Sequence, residues 1–231
     1  MNLFHVFFMP SKLYNNIKEK PDWVLPLIVI SSILIIIQLL SFPIYDRILE
    51  NSDILSQFSH EQVESMKQLS HKTRYISLFI QLFITVISWL FYSLIIYLGV
   101  MIFKTKQSYK KVFSLFIYSY TIIMLSELVN LGIIYSVGVE KIFERTDLLR
   151  LGVNIFFSAD SIGVPLYTLL SYFNLFQIWF IIILIQGLSV IFDLSRVKSF
   201  FIIIFVWSLS VAIPVLNAFY SQMMMSRMTN L

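Results

Sequence analysis

The residue most able to do chemistry in this sequence is Glu127, an acidic side chain in the middle of a long apolar stretch. Counted from Val112, where that stretch begins, it lies about 22 Å along a helix that rises 1.5 Å per residue. A charge at that depth in a membrane costs roughly 3 kcal/mol on insertion scales, so we expect Glu127 to face the interior of a helix bundle. Two roles for Glu127 stay open: a proton or cation site, or a polar contact between helices. The second role is the more common one for a single Glu without a charged partner.

Amides in the same and other apolar stretches are the other candidates for an intramembrane polar site. Asn130 lies one helical turn after Glu127, while Gln81 and the pair Asn174 and Gln177 belong to stripes of polar residues at helical spacing. Such stripes usually mark contacts between membrane helices. The candidate polar site therefore consists of Glu127, Asn130, Gln81, Asn174 and Gln177.

The residue sets that common catalytic and cofactor sites require are missing from the sequence. The chain contains no Cys, which excludes thiolate zinc sites, iron–sulfur clusters and Cys nucleophiles. Its three His residues, His5, His60 and His71, lie outside the apolar stretches and form no HExxH motif. No second carboxylate accompanies Glu127 as an acid–base dyad would require. We therefore expect no enzyme activity, no cofactor and no metal site.

Five apolar stretches must position these polar residues. The chain has 231 residues, of which 58% are hydrophobic and 13% charged, whereas soluble proteins average about 45–50% and about 25%. Only one of the 30 charged residues, Glu127, falls inside the stretches, and each is longer than the roughly 20 residues that cross a bilayer. The sequence predicts an all-α membrane protein, a five-transmembrane-helix bundle forming one domain over residues 1–231. The predicted spans are residues 23–44, 76–103, 112–137, 164–192 and 199–220.

The density of Lys and Arg in the short loops predicts the orientation of the bundle. The N-terminal segment and the loops at 104–111 and 193–198 carry nine cations in 36 residues, against eight in 68 residues on the other side. Because cytoplasmic loops are enriched in Lys and Arg, we expect a cytoplasmic N-terminus and an extracytoplasmic C-terminus. The net charge of +4 is then a property of the membrane surface, so the expected partner is the lipid bilayer and not nucleic acid.

Residues 1–22 form a predicted amphipathic segment before the first span. Leu13, Tyr14 and Ile17 share one helical face, which predicts a short helix lying in the membrane interface. The alternative, that this face packs on the bundle, stays equally open. The candidate membrane-surface contacts are Lys12, Lys18, Lys20 and Trp23. After the first span, Ser59 and Gln62 have the spacing of a capping box and predict a helix start.

The same N-terminal region resembles a known family. The sequences FMPSKLY at 8–14, IKEKPDW at 17–23 and LPL at 25–27 look like the entry to the first span of bacterial Yip-domain proteins. These proteins are integral membrane relatives of the eukaryotic Ypt-interacting proteins. The helix start at 59–62 and the five-span layout are also similar, although residues 4–27 carry most of the resemblance. The long acidic N-terminal region and the Asp-Leu-x-Gly-Pro motif of eukaryotic members are missing here.

The resemblance implies a function without catalysis. It implies a scaffold or accessory subunit of a membrane complex in the bacterial cytoplasmic membrane, accompanying an ABC-type exporter in envelope protection or export. The expected partners are membrane proteins such as ABC-transporter components, and a homo-oligomer is compatible with the sequence. The alternative function, drawn from the charge at membrane depth, is a small transporter or channel that uses Glu127 and the intramembrane amides.

Overall fold

The structure is a computed structural model that describes residues 3–51, 59–104, 107–143, 145–148 and 151–228. These residues are mostly α-helical and contain no strand. The α-helices are α1 (His5–Phe8), α2 (Pro10–Glu19), α3 (Val24–Glu50), α4 (His60–Phe103), α5 (Tyr109–Val137), α6 (Ala159–Ile162), α7 (Val164–Ser171), α8 (Leu175–Phe192) and α9 (Arg196–Met228). Helices α3, α4, α5, α8 and α9 are long and apolar enough to cross a membrane, which confirms the five predicted helices.

Helix α5 lies at the centre of the bundle. It packs against α3, α4 and α8, and the short helices α1 and α2 also touch it. Its core positions run through successive residues, from Val112 to Ser119, and do not follow a single stripe. A helix that is apolar all round belongs in an interior, where neighbours cover every face. This central position puts Glu127, which α5 carries, within reach of several other helices.

Helix α4 is longer than the predicted second span. Its 44 residues combine the predicted loop helix and the predicted span, because no Gly or Pro interrupts the chain between His60 and Leu98. The predicted capping box is confirmed: the Ser59 hydroxyl accepts from the Gln62 backbone N–H (3.3 Å) and the Gln62 side chain accepts from the Ser59 N–H (3.0 Å). At 1.5 Å per residue the helix is about 66 Å long, roughly twice the hydrocarbon thickness. Residues 60–73, called the projecting segment below, therefore extend beyond the membrane-crossing part.

The predicted fourth span is broken near its first third. The structure has α7 and α8 in place of one helix over 164–192, and only α8 is long enough to cross a membrane. The cause is Asn174, whose side chain accepts from the Gln177 backbone N–H (2.9 Å) and donates to the Ser171 carbonyl (3.0 Å). An Asn that caps the start of one helix competes with continuation of the helix before it. Helix α7 packs against α9.

The N-terminal segment packs on the bundle. Leu13, Tyr14 and Ile17 are fully or almost fully buried, and α2 lies mainly against α8. The Tyr14 hydroxyl donates to the Ile183 carbonyl (3.0 Å), and the Phe7 ring packs edge-on against Trp179 (5.6 Å between centroids). The structure thus supports packing on the bundle, the second of the two alternatives, for the apolar face of α2.

Candidate functional site

A cavity of about 230 Å³ collects most of the predicted polar residues. It lies between α3, α5 and the junction of α7 with α8, and we call it the carboxylate cavity. Four of the five candidates line it: Glu127, Asn130, Asn174 and Gln177. Helix α3 contributes Ser41 and Tyr45, and the loop residues Leu148 and Leu151 close one side. The sequence-predicted cluster is therefore a real three-dimensional neighbourhood for these four residues.

Glu127 is the only acidic side chain in this cavity wall, among the residues that the structure describes. It is exposed to the open space, and no Lys, Arg or His of the described residues lines the cavity with it. A carboxyl group in such surroundings either holds a proton or is balanced by a cation that enters from outside. The described part of the chain therefore provides a negative or protonatable centre and no cation in the cavity wall beside it.

Asn130 links α5 to the loop above the cavity. Its side-chain N–H donates to the Leu148 carbonyl (2.8 Å) and so holds the turn Arg145–Leu148 against the helix. Its side-chain oxygen is buried and accepts no hydrogen bond from the described residues. Buried acceptors normally have a donor, but this oxygen has no surface open to the cavity. The group that can select an occupant is therefore the Glu127 carboxyl, which favours a proton donor or a cation.

Asn174 and Gln177 have different roles although both line the cavity. The Asn174 amide is used at both ends by the helix cap, so its role is to hold the break between α7 and α8. The loop supports the same break, since the Val153 N–H donates to the Phe173 carbonyl (3.1 Å). Gln177 lies in the first turn of α8 and lines the cavity. Tyr172, in the break itself, also lines the cavity and was not predicted.

The structure does not bring Gln81 to this site. Gln81 is exposed on the surface of α4 and does not line the carboxylate cavity. The buried residues of α4, such as Leu78 and Trp89, centre about a quarter turn away from Gln81 at 100° per residue. Helical spacing puts Gln81 in a polar stripe along α4, but α5 packs on the neighbouring face of that helix.

A second cavity of about 190 Å³ lies beside the first, between α4, α5, α8 and α9. We call it the aromatic cavity, because six rings line it: Tyr92, Phe116, Tyr120, Tyr172, Phe180 and Trp207. The two cavities share Ile123, Tyr172 and Gln177, so these side chains form the wall between them. No sequence pattern distinguishes four of them, Phe116, Tyr172, Phe180 and Trp207, from other aromatic residues in apolar stretches. The carboxylate cavity thus has an aromatic neighbour across a wall of three side chains.

Two of the four predicted membrane-surface contacts, Lys18 and Trp23, also make contacts within the protein. Lys18 donates to an Asp193 carboxylate oxygen (2.8 Å) and to the Val190 carbonyl (3.3 Å). That hydrogen bond and the positive charge of Lys18 lower the pKa of Asp193 below its usual value. The Trp23 ring packs edge-on against Phe113, with 5.5 Å between centroids. Both residues therefore anchor the N-terminal segment to the bundle.

The other two predicted surface contacts, Lys12 and Lys20, are exposed. Lys12 lies in the first turn of α2, and Lys20 follows its last residue. Among the residues that the structure describes, no three His, Asp or Glu side chains lie close enough together to hold a metal ion.

Comparison with known protein families matches residues 4–217 of the chain to the Yip1 domain. The match covers the N-terminal segment, all of α3 to α8 and most of α9. No curated protein and no solved structure shows significant similarity to the chain.

Proposed function

This chain belongs to the Yip1 domain family, and from that premise we propose that it is a non-catalytic scaffold or accessory subunit of a membrane complex. Yip1 domain proteins are not a known enzyme family. The proposal agrees with the chemistry of the carboxylate cavity, whose described wall has one carboxyl group and no nucleophile activated by a base.

The projecting segment is the observation that carries this proposal. Residues 60–73 continue α4 beyond the span, and the charges of Glu61, Glu64, Lys67 and Lys72 are typical of a segment in water. Its tie to α3 is an ion pair between Lys67 and Glu50 (3.6 Å). On either side of Lys67 in the sequence, Met66 is 39% exposed and Leu69 is 62% exposed. An apolar face on a single helix in water is typical of a protein-interaction surface.

A rigid base supports the projecting segment. Arg74 donates two hydrogen bonds from one nitrogen to the Asp46 carboxylate, at 2.7 and 2.9 Å, and its guanidinium lies 4.8 Å from the centroid of the Phe42 ring. Charge-assisted hydrogen bonds of this length are among the stronger ones in proteins. They fix α4 against the end of α3, so the segment beyond them has a defined direction. A defined direction lowers the entropy cost of binding a partner.

Co-purification tests the proposal. The protein should be extracted from its native membrane in a mild detergent together with other membrane proteins, and Leu69→Glu should lose those proteins. His71→Glu is the matched control, because His71 is exposed on the opposite side of the same segment. A chain that purifies alone after crosslinking in native cells would contradict the proposal.

The finer parts of the proposal concern place and partner. We propose a bacterial cytoplasmic membrane, with the N-terminus in the cytoplasm and the projecting segment outside. An ABC-type exporter in envelope protection or export is the proposed partner, by analogy with bacterial relatives. Since the chain has no Cys, single cysteines at Ser52 and Gln107 test the orientation without background. Only the cysteine at Ser52 should react with an impermeant reagent added outside. Labelling of Gln107→Cys from outside would show that the orientation is the opposite of the one proposed.

A small transporter or channel is the second candidate function. The observation that favours it is the carboxylate cavity, which Glu127 lines together with Asn130 and Gln177, and whose described wall contains no cation. Reconstitution into vesicles tests it, with ion and proton flux as the readout. Glu127→Gln keeps the shape and removes the charge, so it should reduce flux strongly. Equal flux in both proteins would reject this candidate.

A further inference from the structure

Helices α4 and α9 pack closely near the edge of the bundle where α4 ends and α9 begins. Gly99 allows this close approach: a Cβ atom added there would lie 2.9 Å from Ile202 Cγ2 on α9. One turn further toward the edge, the Lys198 Nζ atom lies 4.8 Å from the centroid of the Phe103 ring. Phe103 is the last residue of α4, and Lys198 lies in the first turn of α9. The contact between these two helix ends therefore holds an ammonium group at the edge of the bundle.

Further positive charge lies at this end of the contact between α4 and α9, which we call the α4–α9 seam. Lys104 follows the last residue of α4, Arg196 begins α9, and both are exposed, as is Lys198. Residues 99–111 and 194–202 together contain six Lys or Arg and no Asp or Glu. Within the described part of the chain, no ion pair joins any of these three cations to a carboxylate. This end of the seam therefore attracts an anion.

The acid that immediately precedes the second of these stretches is Asp193. Its carboxylate accepts a hydrogen bond from Lys18 of α2 (2.8 Å), and the same ammonium group also donates to the Val190 carbonyl (3.3 Å). Asp193 is thus already paired with a cation from a different helix. The end of the bundle around the seam keeps an excess of positive charge.

Toward the middle of the membrane, the outer side of the seam is apolar and exposed. Phe201 and Phe205 follow Lys198 at spacings of three and four residues, so the three side chains share one face of α9. These two Phe residues are 64% and 60% exposed, and Leu98 and Ile102 on α4 are 54% and 78% exposed. Lipid tails are as apolar as such side chains and pack against them. The seam therefore places cations next to an apolar strip, as a phospholipid places its phosphate next to its acyl chains.

The position of the cations favours a lipid over a soluble anion. Helices α4 and α9 are both long and apolar enough to cross a membrane, so their ends lie where the hydrocarbon layer meets the headgroups. Basic pockets between transmembrane helices at that level bind anionic headgroups. Free phosphate would contact the cations alone, whereas a phospholipid would also cover the apolar strip.

We propose that the α4–α9 seam binds an anionic phospholipid. Lys104, Arg196 and Lys198 contact its phosphate, and an acyl chain lies along Phe201 and Phe205. This proposal goes beyond the scaffold function and does not rest on it, because lipid binding is measured without any partner protein. The probe is phosphatidylglycerol, and its matched control is phosphatidylcholine, which has the same phosphate group but no net charge.

Fluorescence quenching by brominated acyl chains measures which lipid occupies the seam. Because the chain has no Cys, Phe205→Cys carries a single fluorescent label beside the proposed site. Ile213→Cys is the matched control, since Ile213 is 53% exposed and lies on the same helix in the other half of the predicted span. The labelled full chain is placed in phosphatidylcholine bilayers that contain either brominated phosphatidylglycerol or brominated phosphatidylcholine.

The expected result is a lipid preference at one label only. At the Phe205→Cys label, phosphatidylglycerol should bind at least about fivefold more tightly than phosphatidylcholine, because each cation near the lipid contributes about that factor. At the Ile213→Cys label, the two lipids should bind equally within about twofold. Equal binding at Phe205→Cys, or the same preference at both labels, would overturn the proposal.

Substitutions separate a site from general attraction to a positive surface. At the Phe205→Cys label, Lys104→Gln and Lys198→Gln together should abolish the preference for phosphatidylglycerol, whereas Lys104→Arg and Lys198→Arg together should retain it. Lys12→Gln and Lys20→Gln remove the same charge from exposed positions on the N-terminal segment and should retain most of the preference. Equal losses from the two Gln pairs, or a loss with the Arg pair, would overturn the proposal.

Competition with inorganic phosphate distinguishes the two sources of this chemistry. Tens of millimolar phosphate, added at constant ionic strength, should leave the binding of phosphatidylglycerol at the Phe205→Cys label unchanged, because the lipid also covers the apolar strip. Displacement of the lipid by phosphate would show a site for a soluble anion and would overturn the proposal. Neither result changes the test of the scaffold function, which depends on Leu69.

Discussion

Replacement of Gly187 by Ala tests whether α2, α5 and α8 meet as closely as the structure shows. Gly187 lies in α8, and a Cβ atom added there would overlap Leu115 Cδ1 on α5. The same atom would lie 2.8 Å from Leu115 Cδ2 and 3.1 Å from Tyr14 Cε1 on α2. One added methyl group therefore presses on both the central helix and the N-terminal segment.

The expected magnitude is the difference between two opposing effects. Ala is favoured over Gly inside a helix by up to about 1 kcal/mol, which would stabilise the variant. Overfilling a packed site costs about 1–3 kcal/mol, which is larger. Gly132→Ala on α5 is the matched control, because nothing lies within 4 Å of a Cβ atom added there. We expect Gly187→Ala to be about 2 kcal/mol less stable than Gly132→Ala.

Thermal unfolding in detergent, followed by intrinsic tryptophan fluorescence, measures the difference. For a chain of this size 2 kcal/mol corresponds to about 4–8 °C in Tm. Shortening the opposing side chain with Leu115→Ala should make room for the added methyl group. The loss in free energy of unfolding of the double variant should therefore be about 1–2 kcal/mol smaller than the sum of the losses of the two single variants. The reasoning is refuted if Gly187→Ala melts at or above Gly132→Ala, or if Leu115→Ala and Gly187→Ala are additive.

Three further predictions concern the ends of helices. Asp193→Asn should release Lys18 and increase protease cleavage within residues 3–19 several-fold at neutral pH. Because the pKa of Asp193 is lowered in the folded protein, the difference in cleavage between variant and wild type should persist through mildly acidic pH. It should disappear only as the pH falls below the usual Asp pKa of about 3.9, and a pH-independent difference would contradict this. Asn174→Ala should lower Tm by about 2–4 °C through loss of roughly 1 kcal/mol of capping, and an unchanged Tm would show that the cap does not hold the break. A spin label at Phe8→Cys should report lipid contact and one at Lys20→Cys water contact, because α1 lies beside Trp179 and Lys20 lies near the level of Asp193; equal water contact at both positions would argue against this placement.

The five spans could be predicted from charge placement, because a charge inside a hydrocarbon layer is costly wherever it occurs. The break at Asn174 could not. Asn174 and Gln177 are three residues apart, and this spacing is shared by a polar stripe on a continuous helix and by an N-cap with its bonded residue. Only the conformation of residues 172–174 decides between them. The continuity of the projecting segment with the rest of α4 was not predicted for a similar reason, since a capping box marks where a helix starts but not where it ends.

The candidate site was partly predictable for a related reason. Glu127 and Asn130 are one turn apart on one helix, so their proximity follows from local geometry. Gln81 does not reach them because a stripe fixes a face of a helix and leaves open which neighbour packs there. Tyr172 carries no local signal, since an aromatic residue in an apolar stretch looks like any other. Its place in the walls of both cavities depends on how the assembled helices pack.

Site-specific photo-crosslinking in native membranes tests the central claim, a partner-binding scaffold, most directly. A photoreactive amino acid at Leu69 should form a discrete adduct with another membrane protein, and the same group at His71 should form little or none. Leu69 adducts that contain only lipid, or identical adducts from both positions, would contradict the account.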